Sequence, residues 1–151
     1  MAKKKSSSEI GTNKKARFLY ELSGFLEAGI ALTGPEVKSL RAHKVNFLDS
    51  YVEFKNGEAW LVSLHIAPYE NAGYTPQDPG RPRRLLLHAS EIVRLSASVA
   101  QKGLTVVPVR LYFAHGRVKV EIALGRGKKL HDHRETLKER ALERDLARDL
   151  R

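Results

Sequence analysis

His131-Asp132-His133 sets three potential metal ligands side by side, and Asp49, Glu53 and His65 are the residue types of an acid–base set. Either group would suit a small metal-dependent nuclease. Two features weigh against that chemistry. Residues i and i+2 at a helix entrance do not share a face, and the second ligand motif of a zinc or two-metal site is lacking. The sequence carries no phosphate-cradling Gly-rich loop, no dinucleotide fingerprint and no nucleophile elbow. It also has no cysteine, which removes a thiol nucleophile, a thiolate metal site and any disulfide. Catalysis is therefore not expected, and neither is a metal or a cofactor.

The chemistry that the residues do support is electrostatic. The 151-residue chain carries a net charge of +10, unevenly placed. Residues 1–17 hold six basic side chains against one acidic, 18–80 four against eight, 81–124 eight against two, and 125–151 nine against six. A basic head, second half and tail around an acidic middle point to a polyanionic partner, with nucleic acid first. An anionic membrane ranks lower, because no segment sets Trp, Phe and Leu opposite a basic face. Lys14, Lys15 and Arg17 are candidate phosphate contacts, with a solvated strand entrance as the ordinary alternative. Lys38 and Arg41 stand three apart, and Arg81, Arg83 and Arg84 make a second basic group.

These residues need elements to position them. The length fits one domain. No run approaches the ~18 apolar residues of a membrane span, and no apolar segment follows the basic start as in a secretory signal. A soluble, cytoplasmic monomer is expected. Residues 3–12 are polar and Ser-rich and predict disorder. "RFLYEL" and "FLEAGIAL" read as strands. "LTGPEVKSLRAHK" reads as a short helix, with Thr33 and Glu36 forming a capping box. "NFLDSYVEFK" and "EAWLVSLHIAPY" form a hairpin through Asn56-Gly57, a pair suited to positive φ. Trp60, Val62, Leu64 and Ile66 alternate onto what reads as one core face. After a Pro/Gly-rich loop, "LLLH" is a short strand. "ASEIVRLSASVAQKG" is a second helix, with Ile92, Leu95 and Val99 on one face and Gly103 at its C-terminus. "LTVVPVRLYF" and "RVKVEIAL" make a second hairpin, with Pro108 marking an edge or a bulge. The expected fold is mainly β: an OB-type antiparallel barrel of six or seven strands with two short inserted helices and a C-terminal tail.

In order along the chain, "NKKAR", "FLEAGIAL", "TGPEVKSLRA", "DSYVEF", "PRRLLLHASEI", "KGLTVVPVRLYF", "GRVKVEIAL" and "GRGKKLHDHR" resemble the blocks of the small protein B family, the bacterial SsrA-binding proteins. The resemblance runs from about Asn13 to Arg134. It implies a non-enzymatic OB-fold protein that binds the tRNA-like domain of transfer-messenger RNA. Such proteins enter the vacant A site of a stalled ribosome, where the barrel replaces a missing anticodon arm and the tail enters the empty mRNA channel. Its partners would be that RNA and small-subunit rRNA. Three segments follow: a basic leader over 1–12, an RNA-binding domain over 13–124 and a basic tail over 125–151.

The same resemblance places Asn13, Lys14, Lys15, Arg17, Phe18, Glu27 and Leu86 at the transfer-messenger RNA. The basic residues Lys38, Arg41 and Arg84 are expected there for their charge. Glu27 is expected to orient a neighbouring arginine or to accept from a base amino group. Leu86 is divided between the core and the RNA. Phe18 stands where the family usually has His, His43 where it usually has Gly, and His133 where it has Lys.

The tail is rich in helix formers, with Leu142, Leu146 and Leu150 spaced by four. That stripe is too narrow to dock firmly, and a lone helix of this length is marginal. A solvated, partly docked helix is one reading. The other is a segment disordered when free that becomes helical on the ribosome, its arginines replacing counterions along the phosphates. The resemblance favours the second. Gly127, Lys128 and Lys129 are then its hinge, and His131 stacks in the decoding centre. Asp132, His133, Arg134, Lys138, Arg140 and Arg144 continue into the channel. The competing reading is a ribosome-associated OB-fold protein that binds rRNA or tRNA without transfer-messenger RNA.

Overall fold

Two type I′ turns fold the hairpins, the first at the Asn56-Gly57 pair that the sequence marks. Asn56 and Gly57 have φ of 54° and 75°, and His115 and Gly116 have φ of 53° and 76°. The computed structural model describes residues 8–70, 73 and 77–128. Its elements are β1 (Glu9–Thr12), α1 (Lys14–Leu19), β2 (Tyr20–Ile30), α2 (Gly34–Arg41), β3 (Val45–Asn46), β4 (Tyr51–Lys55), β5 (Glu58–Val62), β6 (His65–Ile66), β7 (Arg83–Leu86), α3 (Ala89–Lys102), β8 (Thr105–Ala114) and β9 (Arg117–Gly127).

Seven strands form one antiparallel sheet in the order β1-β8-β4-β5-β7-β2-β9, and a further β8–β9 pairing closes six of them into a ring. β1 adds to β8 outside that ring, and β3 and β6 pair separately. The mainly β barrel expected from the sequence is therefore present. Closure removes the exposed sheet edge that would otherwise invite pairing with another chain. Alternate residues fill the interior, with Ala28, Leu61, Leu85, Leu111, Val120 and Ile122 all nearly inaccessible.

Four local readings are corrected. Glu9–Thr12 is a strand rather than the end of a disordered leader, paired with Arg110–Tyr112. "KKARFL" is a third helix, α1, not a strand entrance. It is too short to stand alone and is held by Asn13, whose Oδ1 accepts from the Ala16 N–H at 3.2 Å. The run Trp60, Val62, Leu64, Ile66 is not one core face. Ala59 and Leu61 point inward with Leu64 and Ile66, while Trp60 and Val62 are partly exposed. Ser63, at φ 66°, breaks the two-residue period between them. Finally, the barrel does not end at residue 124: β9 continues through Gly125, Arg126 and Gly127, which pair with Leu22, Glu21 and Tyr20.

The helices follow their sequence signals. Thr33 Oγ1 accepts from the Glu36 N–H, and Glu36 Oε1 accepts from the Thr33 N–H at 2.9 Å, completing the capping box. Gly103 closes α3 at φ 64°. The register shifts between Pro108 and Arg110, so Pro108 does mark a bulge. His43 sits at φ 60°, a left-handed conformation that glycine takes without strain, and its Nδ1 lies 3.0 Å from the Ile10 carbonyl.

Glu36 has a second role. Arg81 reaches it through Nε and Nη2 at 2.9 and 2.6 Å, and Arg83 through Nε at 2.9 Å. Arg83 is fully buried and also donates to the carbonyls of Leu64 and Pro79. The second basic group of the sequence thus divides: Arg81 and Arg83 knit α2 to β7, and Arg84 alone stays largely exposed.

Candidate nucleic-acid interface

Residues in register on adjacent antiparallel strands point to the same side. Arg110, Glu121 and Glu27 lie in one row across β8, β9 and β2. Tyr112, Lys119, Gly29 and Leu86 lie in the next, across β8, β9, β2 and β7. Their chain neighbours Leu111, Val120, Ala28 and Leu85 are buried, so both rows face outward. Arg84, two residues before Leu86, faces the same way.

Leu86 is 52% exposed, which settles the division between core and surface in favour of the surface. It lies across the gap at Gly29, where an added Cβ would come 3.2 Å from the Leu86 Cβ. A cleft of ≈ 420 Å³ opens beside it, bordered by Glu27, Arg84, His88 and Lys119.

Two carboxylates oppose each other at the centre of this face, an arrangement that is unfavourable unless each has its own partner. Glu121 accepts from Arg110 Nε at 3.2 Å. Glu27 accepts a short hydrogen bond from the Tyr112 hydroxyl. The Arg110 guanidinium in turn lies 4.2 Å from the Tyr112 ring centroid. Partial burial, reinforced by the Glu27 carboxylate, holds the Tyr112 phenol far above its usual pKa, so it donates throughout the neutral range. Among the described residues Glu27 forms no ion pair with an arginine; the arginine of this network is paired with Glu121. Arg84 lies 3.4 Å from Glu58 but keeps about half its side chain exposed, so screening leaves that pair weak.

Another cluster of basic residues surrounds α1. Asn13 is buried and its amide is engaged on both sides, with Nδ2 donating to the Pro108 carbonyl at 2.8 Å. It positions Lys14 and Lys15, which are exposed, instead of presenting a free amide. Arg17 stands 6.0 Å from the exposed Phe25 ring, which sits at the bulge of β2 two residues before Glu27. Phe18 is half-buried. Lys128 joins the group: its N–H donates to the Leu19 carbonyl and its Nζ to the Arg17 carbonyl.

The face brings together Glu27, Arg84 and Leu86, with Arg17 approaching through Phe25. Lys38 and Arg41 stand apart on α2, where Lys38 is exposed and Arg41 covers the Phe113 ring at 5.0 Å. Gly127 belongs to β9 rather than to a hinge. Lys129, His131, Asp132, His133, Arg134, Lys138, Arg140 and Arg144 lie outside the described residues. Arg110, Tyr112, Lys119 and Glu121 are missing from the sequence-based set, although alternation in "VRLYF" and "VKVEI" puts each on the polar side of its strand. Among the described residues no group of three His, Asp or Glu could hold a metal, and Asp49, Glu53 and His65 form no such group. No described helix is long and apolar enough to cross a membrane.

A family model described as SmpB protein matches residues 10–151. The SsrA-binding protein of Nitratidesulfovibrio vulgaris (strain DP4) is 69% identical over 141 residues, covering 93% of this chain and 92% of its own. That of Oleidesulfovibrio alaskensis is 64% identical over 152 residues, covering 99% and 98%. The SsrA-binding protein of Nostoc punctiforme remains 52% identical over 143 residues, covering 94% and 92%. A solved structure described as "tmRNA-SmpB: a journey to the center of the bacterial ribosome" superposes with a TM-score of 0.69 at 51% identity, over 82% of this chain and 87% of that one.

Proposed function

The chain belongs to the SmpB protein family, and on that premise we propose that it is an RNA-binding factor of trans-translation. Its partners are transfer-messenger RNA and the ribosome. The observation that carries this reading is the near-complete coverage of SsrA-binding proteins at high identity, together with this chain's likeness to a solved structure described with transfer-messenger RNA and the ribosome.

The barrel binds the tRNA-like domain of that RNA without catalysing a reaction and brings it to the A site of stalled ribosomes in the cytoplasm. Within it, the outer face of β8, β9, β2 and β7 is the RNA surface. Leu86 offers an apolar platform for a base or sugar, Glu27 an acceptor, and Arg84 a phosphate contact. Lys14, Lys15 and Arg17 extend the surface around α1, and phosphate contacts there fix the register of the RNA without reading its bases. Asn13 supports them from beneath. Residues 129–151 occupy the vacant mRNA channel.

Filter binding in the presence of excess bulk tRNA tests this. Sub-micromolar binding of transfer-messenger RNA should survive the competitor, and log Kd should rise linearly with log salt as phosphate counterions are released. Equal displacement by bulk tRNA would contradict the reading.

A further inference from the structure

The Tyr112–Glu27 hydrogen bond joins strands that are not neighbours, since β9 runs between β8 and β2. The Tyr112 side chain therefore lies over the outer surface of β9, between the rows that contain Lys119 and Glu121. A tie that only stabilised the barrel would be superfluous there, because β9 already pairs with β8 from residue 105 to 114 and with β2 from residue 20 to 29. What the bond does determine is the orientation of an exposed carboxylate.

Among the described residues Tyr112 is the only side chain that hydrogen-bonds Glu27. The bond engages Oε2, and among the described residues no side chain hydrogen-bonds Oε1. A carboxylate has about four acceptor positions, so most of its capacity remains available. Without Tyr112 the glutamate would lose a rotamer restraint and turn away from Glu121 directly opposite.

We propose that Tyr112 is a positioning residue for RNA: it fixes one oxygen of Glu27 and so presents the other as a preoriented acceptor for a base amino group or a ribose 2′-hydroxyl. Both donors belong to RNA recognition through unpaired nucleotides. Preorienting the acceptor removes part of the ordering cost of binding. Arg110 steadies the Tyr112 ring and keeps Glu121 from competing for the hydroxyl. The inference rests on the proposed function and adds to it a residue that makes no RNA contact through its own hydroxyl.

The test uses the full chain and the tRNA-like domain of transfer-messenger RNA, with dissociation constants for wild type, Tyr112→Phe, Glu27→Gln and the double variant. Tyr112→Phe keeps the ring under Arg110 and removes one hydrogen bond. It should weaken binding about fivefold, the scale of one modest hydrogen bond. The double variant should bind like Glu27→Gln alone, because both changes act on one acceptor. The salt slope should stay at the wild-type value, since no phosphate contact is lost.

Wild-type affinity in Tyr112→Phe, multiplying losses in the double variant, or a shallower salt slope would overturn the proposal. A large fall in the melting temperature of Tyr112→Phe would make the residue a structural tie and overturn it too. If wild type itself shows no preference for this RNA over bulk tRNA, the functional reading fails first and this inference with it.

Discussion

Ending the chain after Lys128 is expected to leave the affinity for transfer-messenger RNA essentially unchanged while peptide tagging on stalled ribosomes falls to background. The cut site follows from β9. Gly125, Arg126 and Gly127 pair with Leu22, Glu21 and Tyr20, and the Lys128 N–H donates to the Leu19 carbonyl at 3.2 Å. Gly125 also lies against the Tyr20 ring, where a Cβ would stand 3.0 Å from ring carbons. Truncation after Gly125 would therefore strip the last rungs holding α1 and its lysines, and would confuse loss of the tail with damage to the barrel. After Lys128 the barrel keeps every described strand, while the charged residues of 129–151 are gone. Binding to free RNA is measured by filter assay and tagging by incorporation of the tag peptide in a reconstituted translation system. Parallel loss of both activities would show that the tail and the barrel do not divide the work.

Glu36→Ala is expected to be the most damaging single change in the barrel, costing about 3–5 kcal/mol. Removing the carboxylate leaves the guanidinium of Arg83, fully buried, with only the carbonyls of Leu64 and Pro79. Arg81 loses its two hydrogen bonds to Glu36, and the Thr33 N–H loses its cap. Such a loss is a large share of the roughly 5–15 kcal/mol that holds a domain folded. By contrast, Arg81→Ala should cost much less, because Arg81 is one-third exposed and Arg83 would still be paired. Urea unfolding of the three proteins checks the ranking.

The same carboxylate gives an acid dependence with a definite sign. Burial pushes the Glu36 pKa up, but hydrogen bonds from Arg81, the Thr33 N–H and Arg83 outweigh it and hold the group below its ordinary value of 4.5. The unfolded chain therefore binds the proton more readily. The stability from Glu36 is complete above pH 4.5 and is lost as the pH falls through the lowered folded value. Glu36→Gln should flatten that part of the stability curve. A curve of wild-type shape in Glu36→Gln would assign the acid dependence to other groups.

Local signals in the sequence were enough for the hairpins, the capping box and the end of α3, because each is set by residues within four positions of one another. Asn56-Gly57 needs positive φ wherever it stands, and Thr33 with Glu36 closes a turn by itself. What escaped was set from a distance. α1 exists because Asn13 reaches the Pro108 carbonyl, 95 residues away. Ser63 flips the strand parity without any residue type that announces it. Nothing in "RPRR" separates Arg83, sealed against Glu36, from Arg84, which is left in solvent. In the site, Glu27 is legible only through the resemblance, Arg84 through its charge, and Leu86 through strand alternation together with the resemblance. Tyr112 and Lys119 were legible as polar positions of alternating strands, but only the register places them in the same rows as Glu27 and Leu86.

Whether this chain selects transfer-messenger RNA is read by purifying it from cells under gentle salt and sequencing the RNA that comes with it. Strong enrichment of transfer-messenger RNA over its share of total RNA is the predicted result. A pool of rRNA and bulk tRNA with no such enrichment would contradict the account and favour a ribosome-associated barrel that acts without transfer-messenger RNA.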